Sequence, residues 1–189
     1  GARLKEARRL VVLGDPGAGK STLLRWLATA FLLRMKNDPD WQDLPDIATL
    51  PDDFYLPILV RCRDLPPQIA TLEDMLHHTL RMNEVTESDC PKLRGLLRTR
   101  LTEGKALLLI DGLDEITDPG LRARFSRQIE QIHRSYPEAP IVVTSRIVGY
   151  REMGYRIRSG FEHLTVADLA PADKDDFARR WCALTERAE

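Results

Sequence analysis

Eight consecutive residues, Gly14-Asp15-Pro16-Gly17-Ala18-Gly19-Lys20-Ser21, follow the pattern G-x-x-x-x-G-K-[ST]. Each residue type in it has a chemical reason. Glycines let the backbone wrap a phosphate and turn several N–H groups inward. A helix that begins at Lys20 sets the positive end of its dipole on the same anion. The Lys20 ammonium is placed to reach β- and γ-phosphates, and the Ser21 hydroxyl to ligate Mg²⁺. The expected nucleotide-binding set is Gly14, Asp15, Pro16, Gly17, Ala18, Gly19, Lys20, Ser21 and Thr22.

A second cluster lies downstream, where the apolar run Leu107–Ile110 leads into Asp111-Gly112-Leu113-Asp114-Glu115. An apolar strand ending in Asp is a Walker B pattern. The strand is buried and its carboxylate emerges at the carboxyl edge, where ligands bind in open α/β sheets. Asp111 is therefore expected to hold Mg²⁺, through water, beside Ser21. A second carboxylate there can polarise an attacking water. Asp114 and Glu115 both qualify, and the longer side chain of Glu115 reaches further toward a γ-phosphate. Ser145-Arg146 ends a later strand. A strand-end Arg beside a triphosphate can sense the γ-phosphate and neutralise charge developing during transfer. Its structural alternative is pairing with the acidic turn. Thr144 or Ser145 could orient the water.

These groups need a scaffold. The chain has 189 residues, 43% hydrophobic and 30% charged, with 28 Lys plus Arg against 29 Asp plus Glu. That is an ordinary soluble globular balance. The near-neutral charge disfavours a duplex-DNA binder. No apolar stretch is long enough to span a membrane and no leader opens the chain, which predicts a cytoplasmic protein. Cys62, Cys90 and Cys182 are far apart with no C-x-x-C pattern, and read as reduced thiols rather than a disulfide or zinc framework.

The pattern alternates strand and helix. Strands are predicted at Arg9–Leu13, Leu56–Cys62, Ala106–Ile110, Ile141–Ser145 and Phe161–Val166. Lys20–Met35 is apolar nearly all round, which predicts a mostly buried helix. Thr71 with Asp74 reads as a capping box opening a helix through Met75, Leu76 and Leu80. Another helix carries Leu93, Leu96, Leu97 and Leu101 and stops at Gly104. Asp118-Pro119 starts a helix with Leu121, Phe125, Ile129, Ile132 and Tyr136 on one face. Pro171 starts a last one with Phe177, Trp181 and Leu184. Residues 37–57 hold six Asp, four Pro and no Lys or Arg, an acidic connecting loop. The sum is an α/β fold, a mostly parallel sheet with helices on both faces.

The combination of GDPGAGKST, LLLIDGLDEI and VVTSR resembles the NACHT domain of the STAND class of P-loop NTPases. Leu56–Leu65 is similar to that family's second strand and following turn. The resemblance covers about residues 9–185. It implies a three-layer α/β/α domain over residues 1–189 with five strands ordered 5-1-4-3-2, the Arg146 strand between the Walker A and Walker B strands. It implies binding of ATP/ADP, or of GTP, with Mg²⁺, slow hydrolysis, and self-association on activation in signalling, including immune or antiviral defence in bacteria. It also implies a nucleotide-binding core cut from a longer protein, with effector and sensor domains elsewhere and residues 167–189 leading toward a winged-helix region. The winged-helix histidine of the family has no counterpart, and His163 precedes its expected position.

Other classes fit less well. No N-K-x-D guanine motif occurs, and no LSGGQ-like signature. A generic AAA+ ATPase, or a binding module with negligible turnover, shares the same motifs. The basic stretch Arg3, Lys5, Arg8 and Arg9 lacks interleaved aromatics for nucleic-acid stacking, and reads as a solvated domain edge. His77 and His78 point about 100° apart on a helix, and read as solvated.

Overall fold

The computed structural model describes residues 2–69, 71–158, 160–168, 170, 171, 174–176 and 179. Of the expected last helix, residues 171, 174–176 and 179 are described and helical; Phe177, Trp181 and Leu184, and also Cys182, lie outside the described residues.

The elements are α1 (Ala2–Glu6), β1 (Arg9–Gly14), α2 (Lys20–Lys36), β2 (Leu56–Arg61), α3 (Leu72–Met82), α4 (Cys90–Thr102), β3 (Ala106–Asp111), α5 (Pro119–Ser135), β4 (Ile141–Arg146), α6 (Ile147–Arg151) and β5 (Glu162–Thr165). The five strands form one sheet ordered β2-β3-β4-β1-β5 with every pairing parallel. This is the predicted order read from the other edge. Parallel register sets Gly14 opposite Arg146 and Arg61 opposite Asp111, so the chemistry gathers at one carboxyl edge.

The period-two alternation of strand side chains sorts the core into two layers. On one face Val11, Ile58, Val60, Leu108, Ile110, Ile141 and Val143 pack against Met75, Leu76, Leu101, Ile129 and Ile132 from α3, α4 and α5. On the other, Leu10, Val12, Leu107, Leu109 and Val142 pack against Leu4 of α1 and Leu24, Leu27, Ala30 and Phe31 of α2. β3 and β4 are buried on both faces, β3 as its unbroken apolar run requires and β4 with the hydroxyls of Thr144 and Ser145 buried beside its apolar residues.

Helix starts follow local chemistry. The capping box forms: Asp74 N–H donates to Thr71 Oγ1 at 3.1 Å, and Thr71 N–H to Asp74 Oδ2 at 3.0 Å. Asp118 Oδ1 accepts from Leu121 N–H at 2.6 Å, with Pro119 at the first helical position.

Four expectations need correction or refinement. α2 is not wrapped all round, since Leu32 and Met35 are about two-fifths exposed; only the side facing the sheet is covered. The acidic connection ends at residue 55, since Leu56 and Pro57 already belong to β2, and it is folded into short 3-10 turns at Pro39–Asp43 and Ile47–Thr49. Arg34 holds it to α2: its guanidinium lies over the rings of Trp41 (5.3 Å) and Phe54 (4.8 Å) and donates to the Pro51 and Asp52 carbonyls, both at 2.6 Å. The basic N-terminal stretch is solvated at Arg3, Lys5 and Arg8, as expected, but it is tied down rather than loose. Arg8 pairs with Glu138 at 2.6 Å. Arg9 donates to the Pro137 carbonyl at 2.6 Å and to His133 Nδ1 at 2.9 Å. Burial, then the Arg9 charge, holds the His133 pKa below its usual value. Nor are the paired histidines solvated. His78 Nε2 lies 2.6 Å from the Asp64 carbonyl, and His77 is half-buried.

One buried charge pins the approach to β5. Glu130 of α5 is 4% exposed; its carboxylate accepts from the Tyr155 hydroxyl at 2.5 Å and the Arg158 N–H at 2.8 Å. Glu130→Ala is expected to cost about 2 kcal/mol, because it strands donors while removing a satisfied carboxylate. Urea unfolding would read this as a lower midpoint at unchanged slope.

Candidate phosphate and water-activating site

The loop between β1 and α2 is shaped by two residues that a side chain would not suit. Gly17 and Gly19 lie at φ 81° and 80°, and the space a Cβ would enter at either is empty. Gly19 is the N-cap of α2, and among the described residues no side chain caps that terminus. The first N–H groups of a helix have no intrahelical acceptor. A 17-residue helix thus opens onto the loop with free donors and its positive dipole end.

The Lys20 ammonium folds back over the loop and donates to the Gly14 and Asp15 carbonyls, both at 2.9 Å. Ser21 Oγ donates to Asp111 Oδ1 at 3.0 Å. Thr144, fully buried on β4, donates to the same oxygen at 2.7 Å and accepts from the Gly112 N–H at 2.9 Å. One hydroxyl therefore fixes both the Asp111 carboxylate and the turn that follows it.

That turn, Leu113–Glu115, is the hinge of the acidic cluster. Gly112 has φ 75°, and a Cβ there would lie 2.8 Å from the Glu115 carboxyl carbon and Oε2. Gly112→Ala is expected to keep nucleotide affinity, to lower turnover, and to cost about 1–2 kcal/mol of stability from the left-handed backbone. Parallel binding, turnover and melting measurements would separate the three.

The two sequence candidates for a base sit differently. Asp114 is turned inward, its side chain 10% exposed, and its oxygens face the Arg146 N–H (2.8 Å), Ser145 Oγ (3.2 Å) and Arg146 Nε (3.2 Å). Glu115 is exposed at the mouth. Partial burial of its carboxyl raises its pKa above the ordinary value of 4.5. Arg63 opposes that rise, Asp111 and Asp114 add to it, and Arg146 also opposes it.

Lys20, Ser21, Thr22, Asp111, Asp114, Glu115, Thr144 and Arg146 share one cavity of about 270 Å³ with Pro16, Gly17 and Gly19. Gly14, Asp15 and Ala18 complete the loop but do not line it. Thr144 and Ser145 are fully buried and hold the carboxylates, so neither is free to orient a water. The Thr144 bridge went unread in the sequence. Its signal is strand pairing: Ile110 lies opposite Val143 in the parallel ladder, so the next residue of each strand meets the other. Beyond Glu115 a second cavity of about 240 Å³ contains Cys62, Arg63 and Arg124. Burial pushes the Cys62 thiol well up, which suits packing rather than reactivity.

Beside α2 lies an apolar cavity of about 920 Å³, lined by Leu4, Thr22, Leu23, Trp26, Leu164 and Val166 among others. Among the described residues the buried Trp26 indole N–H finds no acceptor. No described helix is long and apolar enough to cross a membrane.

Comparison with known proteins gives a family and a set of distant structural likenesses. The family model described as "NACHT domain" matches residues 8–185. No curated protein matches the chain. A solved structure of Drosophila ORC bound to AT-rich DNA and Cdc6 superposes with TM-score 0.45 at 14% identity over 92% of this chain. The poly(dA/dT) complex (conformation 1) gives 0.46 at 12% over 92%, and the GC-rich complex 0.46 at 13% over 93%. In each case this chain spans 28% of the matched chain's length.

Proposed function

The chain belongs to the NACHT family of P-loop NTPases, and on that premise we propose that it binds ATP with Mg²⁺ and hydrolyses it slowly, Glu115 acting as base. The observation that carries this reading is the single cavity where the Lys20 loop, the Ser21–Asp111 pair and Glu115 converge. The polyphosphate lies in the loop against the open N-terminus of α2. Lys20 leaves the Gly14 and Asp15 carbonyls for the β- and γ-phosphate oxygens.

Ser21 and Asp111 are hard oxygen donors already in contact at 3.0 Å, a donor set that suits Mg²⁺, which keeps several waters and takes one or two protein oxygens. When bound, the ion neutralises charge on the phosphate oxygens. Glu115 takes a proton from the water as its oxygen attacks the γ-phosphorus, and the bond to the bridging oxygen breaks to release the diphosphate. Arg146, opposite Gly14 at the neighbouring strand end, stabilises the charge on the γ-phosphoryl oxygens.

The apolar cavity beside Thr22 and Leu23 accommodates the base, and the Trp26 N–H, which has no acceptor among the described residues, offers a donor to a ring nitrogen. Family membership supports reading the diphosphate/triphosphate exchange as a switch for self-association in regulated signalling, including defence. Calorimetric titration with Mg²⁺–ATP, ADP and GTP tests the reading. Micromolar binding of ATP in preference to GTP is expected. No binding of any of the three overturns it.

A further inference from the structure

Asp114 and Glu115 are adjacent acidic residues in one turn, yet their surroundings have little in common. Asp114 faces three donors, and two of them belong to one residue. Its Oδ1 accepts from the Arg146 backbone N–H at 2.8 Å, its Oδ2 lies 3.2 Å from Arg146 Nε, and Oδ1 also takes the Ser145 hydroxyl at 3.2 Å. A carboxylate that meets both the main chain and the guanidinium of one residue fixes where that side chain leaves the sheet and which edge of its fork stays free. Using Nε for the clamp leaves the far, terminal nitrogens for another anion.

The fold fixes the carboxylate in turn. Gly149 of α6 is packed so closely against Asp114 that a Cβ there would lie 2.7 Å from the Asp114 Cβ. Arg122 of α5 donates to the Ile116 carbonyl at 2.8 Å and reaches the Gly149 carbonyl at 3.5 Å, bracing the turn against α6. Thr144 holds the start of the turn through the Gly112 N–H. All of this is rigid support for a side chain that is itself almost covered. The Arg146 side chain, by contrast, is 54% exposed and lines the phosphate cavity.

We infer that Asp114 is a positioning residue: it clamps Arg146 by its backbone N–H and Nε so that the free edge of the guanidinium distinguishes a γ-phosphate from a diphosphate end. This rests on the nucleotide-binding reading above and adds to it. Asp114 acts through Arg146, and the water is left to Glu115.

The test is the ratio of ADP to ATP dissociation constants, with turnover measured alongside, in wild type, Asp114→Asn, Arg146→Ala and the double variant. Asp114→Asn is expected to lower the preference for ATP by about tenfold, the scale of one lost charge-assisted contact, with ADP affinity unchanged. Arg146→Ala should lose it as far or further, and the double variant no further than Arg146→Ala. A role as base predicts instead an Asp114→Asn protein that keeps the wild-type ratio and loses only turnover, and that result overturns the clamp.

Arg146→Lys covers the case in which Asp114→Asn does not fold. It alters an exposed side chain, keeps the charge and the backbone contact, and removes Nε. A wild-type ratio in Arg146→Lys also overturns the proposal, and a lost ratio supports it. Wild-type chain that binds no nucleotide overturns the underlying reading and the clamp with it. Nucleotide binding with unchanged ratios overturns the clamp alone.

Discussion

Lys20→Ala is expected to weaken Mg²⁺–ATP binding by about 100-fold while leaving the melting temperature of the free protein almost unchanged. Two opposing terms set that size. Two charge-assisted contacts to phosphate oxygens together contribute about 3–6 kcal/mol. Against this, the free protein gives up the two 2.9 Å bonds from the ammonium to the Gly14 and Asp15 carbonyls. Exchanging neutral carbonyls for charged oxygens is favourable, but the net gain is nearer the lower end. The near-silent effect on stability follows from the same contacts. Lys20 is a half-buried side chain at the start of α2, and the Asp15 carbonyl keeps a second donor, the Ala18 N–H at 3.1 Å. Calorimetric titration paired with thermal melting separates lost binding from lost folding. Wild-type affinity in the variant would mean that polyphosphate does not lie in this loop.

How much of this could be read from the residues alone depends on distance along the chain. The loop between β1 and α2 was legible because it is local: its glycines, lysine and serine lie within eight residues of one turn between a strand and a helix. The strand order followed from the same motifs through the family resemblance, and β3 announced itself as an unbroken apolar run. What failed to show was whatever joins distant segments. Asp114 and Arg146 are 32 residues apart, and only the pairing of β3 with β4 brings the turn and the strand end together. The Arg9 contacts with His133 and Pro137 span more than 120 residues. Local charge showed the solvated edge but not what ties it down. Glu130 reads as one more polar residue on an amphipathic helix until Tyr155 and Arg158 arrive from beyond β4. The exposure of Leu32 and Met35 was hidden for the opposite reason, since a helix apolar on nearly every side carries no mark of which side the sheet covers. The five-residue helices α1 and α6 are too short to show a period.

Glu115→Gln is expected to lower turnover by about 10²–10³-fold with ATP and ADP affinity retained, since general-base removal acts on the chemical step. The pH dependence identifies the group. Burial and the carboxylates of Asp111 and Asp114 raise the Glu115 pKa above 4.5 despite Arg63 and Arg146. A base must be ionised, so the acid limb of the wild-type pH–rate profile should fall above that value and vanish in the variant. The same shift has a consequence for stability with a definite sign. A carboxyl whose pKa is higher in the folded chain than in the unfolded one favours folding when protonated. That contribution is present at low pH and is lost as pH rises through the folded value. Glutamine cannot ionise, so the unliganded variant should melt above wild type at neutral pH, by a margin that shrinks as the pH is lowered toward 4.5. A stabilised, nucleotide-binding, slow variant would place the strain of ionising Glu115 at the point where the water is activated. If turnover survives the substitution, the proton goes elsewhere. Asp114, held by Arg146 and Ser145, would then have to be freed before it could accept it.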